Sequence, residues 1–182
     1  MRDACQRFIS RKWVTDVLLV SFASVFISLI GQLAIRLPFS PVPIYLQNNA
    51  ICLAGFLLGR KRGVACAMLF IAQGAMGLPV FANGGSGLAY LMGPTGGYIF
   101  GFILSAYIAG YLAERKGTAL NMFNALNLSM LAHYVTGCLY LTTFVGFPQS
   151  FWLGVAPFLL GDLLVNMVVS KIGRSARSLL PL

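Results

Sequence analysis

The chain has 182 residues, of which 58% are hydrophobic and only 9% charged, with a mean hydropathy of +0.83. A soluble domain carries about 25% charged residues, so this composition excludes a water-covered globule and points to a single polytopic membrane domain. The net charge of +9 does not indicate a nucleic-acid surface, because the basic residues stand in short clusters between apolar runs.

Apolar runs of spanning length, read with their Gly, Pro and basic punctuation, predict an all-α protein. Its six transmembrane helices lie near 14–35, 45–59, 63–81, 97–113, 119–144 and 151–172. The first run follows a basic stretch, as a signal peptide would. It is longer than an ordinary signal core and leads into IRLPFSPVP with no small-residue cleavage site, so it reads as a helix. Within it Ser24 and Ser28 form a small-xxx-small pair on one helix face, the kind of face that lets a second membrane helix approach, either from a partner or from the chain's own bundle. The second run is short for a hydrocarbon core of about 30 Å. It opens on Gln47-Asn48-Asn49, which suits a tilted or cavity-lining helix.

Between the third and fourth runs lies GLPVFANGGSGLAYLMGPTGGY, residues 77–98, without a single charge. Non-helical backbone near membrane depth is tolerated where it is buried in protein or lines a cavity. The segment is therefore either a lid folded over a pocket or a plain loop of tight turns. In the fifth run Asn121, Asn124 and Asn127 recur at steps of three near its start and suit helix packing or the interface rather than ligand binding. His133, the sole histidine, sits near the middle of that run. It is either a partner for an acid at similar depth or a satisfied interhelical histidine. Asp162, halfway along the sixth run after Pro157 and Gly161, is the one acid well inside a span. A charge there costs about 3 kcal/mol or more, so it marks a functional site by default.

Six spans place every basic residue except Arg36 on one side, which the positive-inside rule makes cytoplasmic, with both termini inside. The glycine-rich loop is then external. Gln47, Asn48, Asn49, His133 and Asp162 gather in the outer half beneath it, as a pocket for a small neutral or weakly charged molecule arriving from outside. The chain has no nucleotide loop of the G-x-x-x-x-G-K-[ST] type, no H-E-x-x-H, no G-x-S-x-G and no acid dyad. Its four cysteines form no C-x-x-C pair and read as free thiols, so neither metal nor cofactor is expected. No internal repeat of the inverted-carrier kind is visible.

PFSPVPIYLQ, AGFLLGRKRG, GAMGLPVFANGGSG, GPTGGYIFGF and GVAPFLLGDLL, in this order and spacing, resemble the BioY family over roughly residues 20–172. Members are the biotin-binding S components of energy-coupling factor (ECF) transporters. The resemblance implies a six-helix protein of the cell membrane that captures biotin in its outer half. It also implies delivery by toppling when the protein docks on a transmembrane coupling (T) protein carrying two cytoplasmic ATPases. By the same resemblance Gln47, Asn83 with Gly84, and Asp162 would meet the vitamin, and Tyr98 would lie at the lid edge. The stretch holding Ser24 and Ser28 would meet the coupling protein.

Two positions depart from the family pattern. Val165 stands where the family's PGDLLK carries its lysine, and Tyr45 stands where a small Thr is common. Either carboxylate recognition has moved, towards His133 or Asn166, or the ligand is a relative of biotin. The other readings are an S component for another vitamin or a biotin precursor, a small membrane enzyme using Asp162 and His133 as an acid–base pair, and a scaffold without ligand.

Overall fold

The computed structural model describes residues 2–35, 38–115 and 121–177. Among these, helix dominates: α1 (Arg2–Gly31), α2 (Gln47–Ala75), a 3-10 turn (Ala82–Gly84), α3 (Gly87–Leu91), α4 (Gly96–Glu114), α5 (Met122–Val145), α6 (Gln149–Gly154) and α7 (Ala156–Arg177). The one ladder joins β1 (Ala34–Ile35) to β2 (Ile44–Tyr45) in antiparallel register. It ends α1 before residue 35, the end expected from hydropathy.

Among the described residues, four helical stretches are long and apolar enough to cross a bilayer: Lys12–Gly31, Gly96–Glu114, Met122–Val145 and Gln149–Lys171. Their outward faces carry large apolar groups such as Phe22, Leu29, Leu139 and Leu160, each at least 65% exposed, which water would penalise and lipid does not. The protein is a multi-pass membrane protein.

The second and third expected spans are the two halves of α2, which reverses at Gly59 (φ 80°, ψ 168°). That positive φ is open to glycine at little cost. The reversal brings Gly63 so close to Gly55 that a Cβ on the former would lie 2.6 Å from the latter's Cα. Along one straight helix these residues would be about 12 Å apart.

Both halves pack on α4 through small residues. A Cβ on Gly55 would lie 2.4 Å from the Ala106 carbonyl oxygen, and one on Gly110 would lie 2.3 Å from the Arg60 nitrogen. Membrane helices associate through such close approach, because lipid gives no hydrophobic drive between them.

Charges gather at the reversal. Arg60 Nε lies 3.0 Å from Glu114 Oε2 at the end of α4, and its backbone N–H donates to Glu114 Oε1 at 2.8 Å. Arg62 pairs with Asp16 of α1 at 2.5 Å. Arg36 and Lys116, used in the charge count, lie outside the described residues, as do the side chains of Arg2, Arg7, Arg11, Arg174 and Arg177.

At the opposite end the last turn of α1, the start of α2 and the chain after α2 converge. A Cβ on Gly31 would strike the Gln47 side chain, and Gln47 Nε2 donates to the Val80 carbonyl at 2.7 Å. Here the glycine-rich segment folds over the bundle. Phe81 is buried, meets Phe70 edge-on at 5.5 Å and stacks on Tyr90 at 5.2 Å.

The sixth expected span is interrupted at Val155 (φ −127°, ψ −57°), which separates α6 from α7. Pro157 has no N–H to continue the α6 hydrogen-bond ladder, and it sits in the first turn of α7, where that loss is harmless.

The glycine contacts give a direct test. Gly55→Ala should destabilise the protein by about 1–3 kcal/mol, because the obstructing atom is backbone and cannot rotate away. Thermal unfolding in detergent measures this; an unchanged midpoint would mean that α2 and α4 do not approach this closely.

Candidate functional site

On the end opposite the charge cluster a cleft opens between the start of α2, α4, α5 and α7, with about 550 Å³ of atom-free space including its mouth. Pro43, Tyr45 and Asn48 form one wall. Tyr98, His133 and Tyr134 form the floor, and α7 closes the cleft with Phe158, Gly161, Asp162 and Val165. The α7 positions recur at steps of three and four, one face of a helix.

Asp162 accepts a hydrogen bond from the Tyr134 hydroxyl. Behind it runs a chain of amides. Asn49 Nδ2 donates to Asn166 Oδ1 at 3.1 Å, and Asn166 Nδ2 donates to Asn127 Oδ1 at 2.9 Å. Asn127, Met130 and Tyr134 form one stripe of α5 facing Asn166 and Asp162 of α7, with Met130 Sδ 3.1 Å from Asn166 Nδ2. Asn127 thus serves packing, as its spacing predicts.

Asn48 and Asn49 are each 2% exposed, and each has an Oδ1 without a partner in the protein; of the two, only Asn48 lines the cleft and offers its oxygen there. A buried acceptor left unpaired costs about 1–3 kcal/mol, so this oxygen is poised for a donor from a ligand.

The other expected site residues divide. His133 lines the cleft, but its Nδ1 lies 3.0 Å from the Tyr98 carbonyl, which can only accept, and its ring stacks on Phe102 at 5.1 Å. It is the interhelical histidine of the two readings; the partner of Asp162 is Tyr134. Tyr98 is not at a lid edge. It is 1% exposed, its ring fills the space that a Cβ on Gly137 or Gly154 would need, and its hydroxyl donates to the Gly154 carbonyl at 2.9 Å. Gln47 faces Val80 rather than the cleft. Asn166 is fully buried behind the wall and engaged with Asn49 and Asn127.

Asn83, exposed at φ 55°, lines a separate outer chamber with Ser40, Tyr90 and Thr95, and Pro43 borders both spaces. Gly84 (φ 75°) forms the same turn without lining either one.

For the serines of α1 the structure favours packing within the bundle over the coupling face. Ser24 is fully buried and donates to Gln73 Oε1 at 2.8 Å, while Ser28 Oγ donates to the Ser24 carbonyl at 2.8 Å. The face that carries Ser24 is turned into the bundle by that polar contact, not outward to a partner. One cleft residue escaped the sequence reading as a ligand-facing group, Tyr134; Asn48 belongs to the amide triplet expected to line a cavity, and of that triplet it alone lines the cleft. The signal for Tyr134 was its place one turn beyond Met130 on the Asn127 stripe.

An apolar, aromatic cleft holding one carboxylate and one unspent amide oxygen, with no cation among its described lining residues, suits a small molecule that presents N–H donors. The BioY family profile matches residues 2–182. The chain belongs to the BioY family. Among its relatives, a probable biotin transporter BioY of Pyrococcus horikoshii is 39% identical over 145 residues, 79% of this chain and 86% of the relative. The biotin transporter BioY of Thermotoga maritima is 36% identical over 146 residues, 80% of this chain and 86% of that one. The fold is similar to a crystal structure of the S-component for biotin from an ECF-type ABC transporter. The TM-score is 0.83 at 27% identity, over 92% of this chain and 93% of that one.

The amide chain behind this BioY cleft predicts that Asn166→Ala strands Asn49 and Asn127. Each unsatisfied group should cost about 1–3 kcal/mol, read as a lowered unfolding temperature in detergent. A silent substitution would show that these amides find other partners.

Proposed function

We propose that the protein is the biotin-binding S component of an ECF-type importer of the cell membrane. The observation that carries this reading is the pair of acceptors, the Asp162 carboxylate and Asn48 Oδ1, in an aromatic cleft. The ureido ring of biotin offers two N–H donors and one acceptor and has an apolar body. The names of the relatives and the matched S component support the same assignment.

Six spans follow when the two halves of α2 are counted separately. The charge pairs at Gly59 support a cytoplasmic position for that end and for both termini, and the cleft then opens outside. The ligand enters past the glycine-rich segment, and its carboxylate tail lies towards the neutral groups of the outer chamber, Ser40, Asn83 and Thr95. Energy comes from outside this chain, through a T protein and two cytoplasmic ATPases.

Tyr45 and Val165, both in the cleft wall, favour a second reading in which a precursor of biotin is the preferred ligand. Thermal shift of the purified protein against biotin, its precursors, thiamine and riboflavin distinguishes the two. A ligand that binds only the native state at a hundredfold excess over Kd stabilises it by about 2.7 kcal/mol. A response to thiamine or riboflavin alone would overturn both readings.

Asp162→Asn should raise Kd by about tenfold to a hundredfold, the loss of a charge-assisted hydrogen bond, with the fold retained. Equilibrium binding beside a thermal scan checks this, and normal affinity would remove Asp162 from the site.

Because Val165 replaces the family lysine and borders the cleft, biotin and its methyl ester should bind within about 2 kcal/mol of each other. Val165→Lys should tighten the acid selectively. A strong wild-type preference for the acid would reveal a cation that the cleft does not show.

A further inference from the structure

At the charged end α1, the α2 reversal and the end of α4 enclose a second, wide cleft. Two of its cations are matched, Arg60 by Glu114 and Arg62 by Asp16. Lys12, Lys61 and Arg115 border the same cleft, are exposed, and have no acidic partner among the described residues. Arg115 instead lies over the Tyr111 ring, 4.8 Å from its centroid. Trp13, next to Lys12, is 70% exposed. Exposed tryptophan on a spanning helix marks headgroup depth, so these cations lie where lipid phosphates lie.

A nearly purely apolar groove reaches the same place. It runs between α1 and the first half of α2, bounded by Leu19, Phe22, Ala23, Ala54 and Leu57, and it ends at Leu58. Leu58 also borders the basic cleft. An apolar channel that opens at one end onto unpaired cations matches a molecule with a hydrocarbon chain and an anionic head. Basic pockets between helices on the cytoplasmic side bind anionic lipid headgroups through this charge complementarity.

We propose that this surface is a specific site for one anionic phospholipid, its phosphate among Lys12, Lys61 and Arg115 and an acyl chain in the α1–α2 groove. Continuity through Leu58 favours a lipid over a soluble anion, which has no use for the groove. The cytoplasmic placement rests on the topology proposed above; the binding itself does not depend on biotin.

The test is native mass spectrometry of the delipidated full chain titrated with phosphatidylglycerol, phosphatidylcholine or glycerol 3-phosphate. Phosphatidylglycerol should bind at least roughly tenfold tighter than phosphatidylcholine, and glycerol 3-phosphate should not displace it at equal concentration. The double variant Lys12→Gln with Lys61→Gln should lose the preference, roughly ten- to thirtyfold, with phosphatidylcholine unaffected. Ala23→Phe should fill the groove and weaken both lipids, with Ala54→Phe in its place if the first does not fold by size exclusion and thermal scan.

Equal retention of the two lipids by the wild type would overturn the proposal, as would a lysine variant that keeps the preference. Competition by glycerol 3-phosphate would identify a soluble anion site. Lipid indifference with loss of uptake in the lysine variant would assign the surface to a protein partner.

Discussion

A polar side chain inside a bilayer has no water to fall back on, and the way α2, α5 and α7 meet follows from that constraint. Asn49 donates to Asn166 and Asn166 to Asn127 in a line across three helices, and Tyr134 holds Asp162 on the same side. Lipid supplies no hydrophobic drive between helices, so these hydrogen bonds fix the register of α7 against its neighbours. The linked amides build the frame. Of the groups left over, the Asn48 oxygen and the cleft side of Asp162 belong to residues that line the cleft.

Close packing handles the rest of the bundle by a different device. Gly55, Gly63, Ala106 and Gly110 bring α2 and α4 almost backbone to backbone. Gly137 and Gly154 leave the slot that Tyr98 fills, and the Tyr98 hydroxyl then ties α4 to the end of α6. The glycines flanking the cleft therefore act through the bulky ring they admit, and that ring shapes the cleft floor.

Much of this could be read from the sequence. Hydropathy located the four long apolar helices, charge clustering located the reversal at Arg60–Arg62, and the cost of an intramembrane acid singled out Asp162. The amide triplet at 47–49 was legible as cavity-lining, although only Asn48 faces the cleft. What stayed hidden depended on which way a side chain turns. A small-xxx-small pattern does not say whether its face meets lipid, a partner or the chain itself, and Gln73 decided that for Ser24. Tyr98 and Asn166 lie at the right depth, but the slot and the amide chain that absorb them are tertiary facts. The interruption at Val155 was foreshadowed by Pro157, whose apolar surroundings concealed it.

The valine in the cleft wall also has an electrical meaning. The described cleft holds a carboxylate and no cation, and a ligand such as biotin brings another carboxylate. A loaded site that moves towards the inside of a cell with an inside-negative potential works against about 2.3 kcal/mol per elementary charge per 100 mV. A lysine at that position would cancel one of those charges before the journey began. With Val165 there, the proposed importer would carry that charge uncompensated on its loaded site.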